Sequence, residues 1–190
     1  MKAKAALILI VFLFAAAIPV FAQPGQDLSR YDVLKEPRIT QLPAAKMLVV
    51  EAKGDPGVSS GPAFGLLFKV FFSIPGARMA PPRARWNADL KIPKDQWVGR
   101  FALPIPDGGT LPAGSSGAKI EVWEYGDVAE VLHSGSYADV GPSIQKLMMF
   151  IASKGYVVSG PHEEEYLRGP ESGPNTADYR TIIRFQVKKK

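Results

Sequence analysis

Two amphipathic helical segments, each surrounded by strand-like runs, constrain the fold of this chain more than any other feature. In the first, the apolar residues of "FGLLFKVF" recur at i, i+3, i+4 and i+7 from Phe64, which predicts a helix over residues 62–73. In the second, an apolar stripe from Val140 to Ile151 predicts a helix over residues 140–153. Because each stripe needs an apolar surface to cover it, we expect both helices to pack on a β-sheet.

Strand-like runs surround the two helices in the same order. "KMLVVEAKG" precedes the first helix, and "QWVGRFALPIP" and "AKIEVWEY" follow it. "DVAEVLHSG" precedes the second helix, and "EEEYLR" and "RTIIRFQV" follow it. Each half is thus strand, helix, strand, strand, which indicates a duplicated module. We predict an α+β fold in which both modules form one antiparallel sheet, with two helices on one face and a ligand groove on the other.

The N-terminal segment has the plan of a cleavable export signal. Lys2 and Lys4 precede the apolar run "AALILIVFLFAAAI", and the small residues Val20 and Ala22 suit cleavage after Ala22. An uncleaved membrane anchor is the alternative, but the run is short for a full span. We therefore predict a signal peptide over 1–22, a flexible lead-in over 23–37, a folded domain over 38–187 and a basic tail over 188–190. The mature protein is expected to be periplasmic or secreted, with no stable membrane insertion after cleavage.

Composition and charge exclude several classes of function. The formal net charge is +5, but it falls to +3 without Lys2 and Lys4, and three tail lysines account for the remainder. The high sequence pI is therefore no argument for nucleic-acid binding, which needs a basic face on the folded body, and we expect no nucleic-acid partner. The chain has no cysteine, which excludes disulfides and thiolate chemistry.

The two histidines, His133 and His162, lack the neighbouring ligands that a metal site needs. We interpret both as structural or surface residues, and we expect no metal, no cofactor and no catalytic residue. The stretch "HSGSY" around Gly135 is not a nucleophile elbow, so it does not indicate a serine hydrolase.

Three consecutive carboxylates in "PHEEEYLRGP" pose the question of what this strand does. Alternation places Glu164, Tyr166 and Arg168 on one face, and Glu163, Glu165 and Leu167 on the other. One interpretation is an exposed edge strand with solvated charges, in which Arg168 pairs with Glu164. The other is a groove in which Glu164 and Tyr166 meet a ligand while the remaining acids are ordinary surface residues.

The stretches "PRITQLPAAKMLVVEAKGDP", "HSGSYADVG" and "EEYLRGP" resemble, in order and spacing, the GyrI-like small-molecule-binding domains, also called bacterial effector-binding domains. The resemblance covers residues 38–187. It implies two modules related by pseudo-twofold symmetry, with a groove that holds amphipathic, often cationic aromatic compounds against a central glutamate. By motif, Glu164 takes the place of that glutamate, beside Tyr166, and Tyr137 that of the tyrosine after the glycine turn.

A proline-containing stretch over 77–95, "ARMAPPRARWNADLKIPKD", shows no period and is predicted to be a loop, either a lid or disordered. Trp86 lies in it, and we expect this tryptophan to close over the ligand. The predicted ligand-binding residues are therefore Glu164, Tyr166, Tyr137 and Trp86.

Two functions remain open for such a domain. The first is an exported binding module for a small amphipathic molecule. The second is a hydrolase, because one GyrI-like branch cleaves cyclopropane-bearing compounds and "EAKGDP" resembles that branch. That branch usually has an acidic residue and paired aromatics after "PP", whereas this chain has "PPRARWN" with Arg83 and Arg85. The departure favours binding over turnover.

Overall fold

The computed structural model describes residues 27–86 and 93–190, with Lys94 described by its backbone alone. The helices are α1 (Pro56–Phe71) and α2 (Gly141–Ser153), and short 3-10 helices include Ser29–Leu34 and Tyr137–Asp139. The strands are β1 (Arg38–Leu42), β2 (Ala45–Lys53), β3 (Arg83–Trp86), β4 (Val98–Pro104), β5 (Ala118–Trp123), β6 (Gly126–Ser134), β7 (Tyr156–Arg168) and β8 (Arg180–Lys189).

The eight strands form one antiparallel sheet in the order β1-β6-β8-β7-β3-β4-β2-β5. This order is symmetric about the boundary between β7 and β3. On one side lie the strands of the module β6-α2-β7-β8, and on the other those of β2-α1-β3-β4. The predicted α+β fold, with one antiparallel sheet built from two strand–helix–strand–strand modules, is confirmed.

Both helices pack on the same face of the sheet, here called the helix face. Helix α1 packs through Leu67 and Phe71 on a cluster that includes Ala84 of β3. Helix α2 packs through Leu147 and Ile151 on a cluster that includes Ile183 of β8. Ala84 and Ile183 both pair in register with Glu164 of β7, so their side chains share one face. The apolar stripes thus correctly predicted two helices on one face.

The pairing of strands between the modules differs from the prediction in one respect. The segment Arg83–Trp86 lies within the stretch that was predicted to be a loop, but it is strand β3 at the centre of the sheet. Strand β5, which was assigned to the first module, instead lies at an edge. This segment of only four residues, in which arginines alternate with apolar residues, is too short to predict a strand from the sequence. Strand β3 forms because β4 and β7 pair with it on both sides.

The sheet is strongly curled, as its short connections require. Strand β5 lies at one edge and β6 next to the other, yet only Glu124 and Tyr125 connect them. In a flat sheet six strand spacings would separate them by about 29 Å, whereas three Cα–Cα steps span at most about 11 Å. The connection between β1 and β2 consists of Pro43 and Ala44 alone, and it also joins strands that are six strand spacings apart in the sheet order. The two edges therefore approach each other at this end.

The face opposite the helices, here called the far face, is the concave one. Trp123 and Tyr125 lie beside the β5–β6 connection and pack with Met47 and Val128, which belong to opposite halves of the sheet. Both aromatic rings also lie over the Arg85 guanidinium, at 4.0 Å and 4.8 Å from its carbon. The curl therefore encloses the far face rather than leaving it open to solvent.

A row of charged residues crosses this enclosed face in a single register. Its members on five neighbouring strands are Arg85, Glu163, Arg184, Glu130 and Arg38. Glu163 is 2% exposed and receives hydrogen bonds from Arg85 at 2.8 Å and from Arg184 at 2.7 Å. Arg184 also pairs with Glu130 at 2.9 Å. Buried carboxylates are tolerated because each one meets a guanidinium.

Glu165 joins the same network through Arg184 at 3.1 Å and Arg83 at 3.4 Å. The expectation that Glu163 and Glu165 are ordinary surface acids is therefore wrong. The alternative of an exposed edge strand is also wrong, because β7 lies between β8 and β3.

Only the second helix begins close to where its apolar stripe indicated. Helix α2 starts one residue after its predicted start, at Gly141, whereas α1 starts earlier, at Pro56. Asp55 caps α1 by accepting a hydrogen bond from the Gly57 N–H at 2.8 Å, and Pro56 occupies the first turn, where a missing N–H costs nothing. The signal for this early start was thus Asp-Pro rather than the apolar stripe.

Part of the predicted flexible lead-in is structured. The 3-10 helix Ser29–Leu34 packs against the sheet, and Leu34 contacts the cluster formed by Leu167 and Ile182. The predicted signal peptide over 1–22 lies outside the described residues. Within the described ranges, no helix is long and apolar enough to cross a membrane.

We predict that Arg184→Met strongly destabilises the protein, because it leaves Glu130, Glu163 and Glu165 buried without their shared cation. The free energy of unfolding should fall by about 3–5 kcal/mol in urea titrations. Lys35→Met is the control, since Lys35 forms an exposed pair with Asp32 and its loss should cost at most about 1 kcal/mol. Equal losses in the two variants would show that the charged row does not hold the sheet.

Candidate functional site

A stripe of three polar side chains runs along β7 on the helix face, between the two helices. His162, Glu164 and Tyr166 alternate with the residues of the charged row, so they point to the opposite side of the sheet. Across the sheet, Glu164 pairs with Ala84 and Ile183, which are apolar. A carboxyl group therefore sits in the middle of the apolar surface that the helices cover.

Glu164 is 9% exposed, and its neighbours are not cations. Tyr166 donates a hydrogen bond of 2.8 Å to its Oε2, and His162 Nε2 lies 3.5 Å from its Oε1. No described lysine or arginine forms an ion pair with it, whereas Glu163 and Glu165 on the far face have two arginines each. The predicted alternative, a pair with Arg168, is not formed, and the β7 register shifts between Tyr166 and Arg168.

Burial changes the protonation of all three groups in the stripe. Desolvation raises the pKa of Glu164, which the hydrogen bond from Tyr166 only partly opposes. Desolvation also raises the pKa of Tyr166 well above its usual value, and the nearby Glu164 carboxyl adds to this. The pKa of His162 falls to about 4, again because burial disfavours its charged form. Burial thus disfavours the charged form of each of the three groups, and at neutral pH the imidazole of His162 is neutral.

Aromatic rings surround this carboxyl. Tyr166 meets Phe64 of α1 at 5.9 Å and Tyr137 at 5.5 Å, both in edge-to-face geometry. Tyr137 in turn packs on Tyr179 at 5.4 Å. The Trp86 side chain lies near the Tyr166 hydroxyl and lowers the pKa of that hydroxyl, against the larger effect of burial. Such a cluster offers π-faces together with one acid, which suits a cationic aromatic guest.

Trp86 is held in place by the neighbouring strand. It pairs in register with Gly99 of β4, where a Cβ atom would lie 2.7 Å from the Trp86 ring. Phe101 and Trp97 pack on the indole at 5.4 Å and 6.2 Å. Trp86 is 7% exposed, so it forms a wall of the site rather than the closing lid that was predicted. Residues 87–92 of the predicted lid lie outside the described part.

The structure brings all four predicted ligand-binding residues together. Tyr166 is central: it contacts Glu164, Tyr137 and Trp86. The side of the sheet was predicted wrongly, because these residues lie on the helix face and not on the opposite one. The opposite face carries the charged row and is enclosed by the curl of the sheet.

Three further residues of the cluster were missed by the sequence analysis. Phe64 was assigned only to the helix stripe, His162 was interpreted as structural, and Tyr179 was not considered. The signal for His162 was present in its spacing, since it lies two residues before Glu164 and therefore on the same strand face.

Two cavities, of about 370 and 350 Å³, lie elsewhere, next to the 3-10 helix Ser29–Leu34. The second is lined by Arg38, Glu130 and Arg184, whose charges already pair with one another. The Glu164 cluster is the better candidate because its acid forms no ion pair with a described lysine or arginine, although a ligand must displace a side chain to reach it. Tyr137, at 37% exposed, is the outermost ring of the cluster.

No group of three or more potential metal-ligating side chains occurs among the residues that the structure describes. The candidate site thus consists of the acid Glu164, the neutral imidazole of His162 and the surrounding aromatic rings.

The duplicated α+β fold, with an acid and aromatic rings between two helices, defines a small-molecule-binding domain. The sequence profile of the GyrI-like small molecule binding domain family matches residues 35–188, and the chain belongs to this family. No protein of curated function matches the sequence.

Several solved structures share the fold. One is a hydrolase from Listeria innocua, with 20% identity and a TM-score of 0.68, covering 81% of this chain and 92% of that one. Another is the EcmrR C-terminal domain, with 15% identity and a TM-score of 0.68, covering 82% and 98%. A third is SAV2435 bound to tetraphenylphosphonium, with 15% identity and a TM-score of 0.53, covering 80% and 94%. At these identities the likeness shows the fold alone.

We predict that the burial of His162 and of Glu164 makes stability depend on pH in opposite directions. From pH 6.5 down to about 4, the unfolded chain binds a proton at His162 that the folded chain does not, so this group lowers the free energy of unfolding as the pH falls, by on the order of 3 kcal/mol. From the usual pKa of Glu164, 4.5, up to its raised pKa, the folded state retains a proton that the unfolded state has lost, so this group lowers the free energy of unfolding as the pH rises. The two effects offset each other where their pH ranges overlap.

Urea unfolding of wild type, His162→Phe and Glu164→Gln between pH 4 and pH 9 separates the two effects. In Glu164→Gln the free energy of unfolding should rise with pH between about 4 and 6.5, because only His162 then acts. In His162→Phe it should fall as the pH rises above 4.5, because only Glu164 then acts. An unchanged profile in either variant would contradict the corresponding assignment.

Proposed function

We propose that the protein binds an amphipathic, cationic aromatic small molecule between its two helices, with Glu164 as the counter-ion. The observation that carries this proposal is a buried carboxyl group that has aromatic neighbours and no described cationic partner. All other acids buried in the described part of the chain are paired with arginines.

The energetics favour a cationic guest. Burying a carboxylate without a cation beside it is costly, and burial accordingly raises the pKa of Glu164. A cation that enters the cluster removes this cost, and the faces of Tyr166, Tyr137 and Trp86 add cation–π attraction. Neutral guests gain only the apolar contacts.

Entry to the site requires one of the covering rings to move. Tyr137 belongs to a 3-10 helix of three residues and keeps more than a third of its surface in solvent, unlike the rings behind it. Its displacement would uncover Tyr166 and then Glu164. We therefore assign the opening of the site to Tyr137.

The similar fold of SAV2435, which was solved with tetraphenylphosphonium, supports this class of ligand, since that compound is a cation with four aromatic rings. Support for the role of Glu164 in this chain comes from its own burial and from the fact that no lysine or arginine in the described ranges pairs with it.

We predict that Glu164→Gln weakens the binding of methyltriphenylphosphonium by about 1–3 kcal/mol, because the buried charge pair is lost. Binding of triphenylphosphine oxide, a neutral compound of similar size, should change little, since glutamine preserves the shape of the site. Isothermal titration calorimetry of both compounds against wild type and variant measures the difference.

Glu124→Gln is the control, because this acid is exposed on the β5–β6 connection and its loss changes net charge alone. It should leave both affinities as in wild type. Equal losses for the cation and the neutral compound in Glu164→Gln would refute the counter-ion role.

A hydrolase of the cyclopropane-cleaving type is the second candidate. One observation favours it: burial raises the pKa of Glu164, which is the direction that a general acid requires. The hydrolase from Listeria innocua has the same fold. Mass spectrometry of aromatic cyclopropanes incubated with wild type and Glu164→Gln separates the candidates, because a binder gives no product in either form.

We further propose that residues 1–22 are a cleavable signal and that the protein is periplasmic or secreted. The basic start, the short apolar run and the small residues at 20 and 22 support this. N-terminal sequencing of the native protein should give Gln23 as the first residue. An intact Met1 or Lys2 terminus in the membrane fraction would indicate an uncleaved anchor instead.

A further inference from the structure

The two oxygens of Glu164 have different surroundings. Oε2 accepts the hydrogen bond from Tyr166 at 2.8 Å. Oε1 faces His162 Nε2 at 3.5 Å, a separation too long for a good hydrogen bond. Nε2 is buried and has no hydrogen-bond partner. A buried polar nitrogen without a partner is costly, which makes this position stand out from the satisfied polar groups around it.

His162 is fixed in this position from both sides. Its ring stacks on Phe185 at 5.1 Å with an interplanar angle of 21°. On the other side, it pairs in register with Trp86 of β3. The depressed pKa of His162, at about 4, keeps the ring neutral at pH 7. Because Nε2 makes no good hydrogen bond to Oε1, we assign the proton to Nδ1, which leaves a lone pair at Nε2.

Oε1 and Nε2 are thus two neighbouring acceptors in a cluster that otherwise consists of aromatic rings. One ammonium group can donate to both, because acceptors 3.5 Å apart both lie within hydrogen-bond reach of a single nitrogen. A quaternary nitrogen has no N–H, so it leaves Nε2 unpaired and its alkyl groups keep the charge away from Oε1.

We propose that His162 Nε2 and Glu164 Oε1 form a two-acceptor site that selects protonated primary and secondary amines over quaternary cations of the same size. This inference rests on the proposed function and makes it more specific. His162 is the residue that sets the preference, and Glu164 supplies the charge.

The other groups near Glu164 do not supply this preference. Tyr166 already donates to Oε2, and Tyr137 contacts Tyr166 and Tyr179. Glu171 lies further out, where it accepts a hydrogen bond from the Gly169 N–H. Aromatic rings alone favour the quaternary cation, because an ammonium group loses stronger hydration on entry. A preference for the amine therefore reports on the two acceptors.

The test compares 4-phenylbenzylamine with its N,N,N-trimethyl derivative by isothermal titration calorimetry at pH 7. Wild type should bind the amine at least about tenfold more tightly, the scale of one charge-assisted hydrogen bond. His162→Phe should lose this preference while it keeps its affinity for the quaternary compound. His162→Gln should retain part of the preference, because its amide oxygen is an acceptor.

The same titrations separate this inference from the proposed function. If wild type binds both compounds equally, or the quaternary one more tightly, the two-acceptor site is refuted while the cation site stands. Retention of the amine preference in His162→Phe also refutes it. If neither compound binds, or Glu164→Gln changes neither affinity, the proposed function itself fails.

A measurement on wild type guards against misfolded variants. The chain has two histidines, so ¹⁵N spectra of histidine-labelled protein contain two rings. His133 already makes contacts of 3.0 Å to Ser143 Oγ and to the Ser136 carbonyl, and its signals should not move. The Nε2 signal of His162 should move toward the hydrogen-bonded range with the amine and not with the quaternary compound. Identical responses to the two compounds would overturn the proposal.

Discussion

The charged row on the concave face determines which side chains of the central strands point to that face and which point to the helix face. Glu163 and Glu165 of β7 must meet Arg184, Arg85 and Arg83 on the neighbouring strands, since a buried carboxylate without a guanidinium is too costly. Because side chains alternate, a slip by one residue would expose this whole set to the apolar helix face. Because Glu163 and Glu165 pair with these arginines on the far face, Glu164 between them points to the helix face. The site exists where it does because its two neighbours are paired elsewhere.

What the sequence predicted well depends on local periodicity. The stripes beginning at Phe64 and Val140 predicted both helices and their common face, because an apolar stripe must be covered whatever the rest of the chain does. Strand alternation alone placed Glu164 and Tyr166 side by side, as their hydrogen bond shows. The family resemblance added Tyr137, whose distance along the chain gives no local clue to its contact with Tyr166.

What the sequence did not predict depends on contacts between distant residues. Arg83–Trp86 has no strand signal of its own, and it becomes the central strand β3 because Arg83 and Arg85 face Glu165 and Glu163 in register. The sequence also predicted the wrong face of the sheet for Glu164 and Tyr166, because the curl that encloses the far face depends on the order of the strands. The role of His162 needs the distance to Glu164, which no spacing rule supplies.

The two short links, Pro43–Ala44 and Glu124–Tyr125, have a consequence for how such a fold arises. Each edge strand is joined to the module that follows it but pairs with the first strand of the other module. Neither half can therefore complete its own sheet, and the two should fold as one cooperative unit. A single ancestral module would have left its leading strand unpaired and exposed. Two copies that exchanged these strands would have formed the same eight-stranded sheet as a dimer, which gene duplication could then join into one chain.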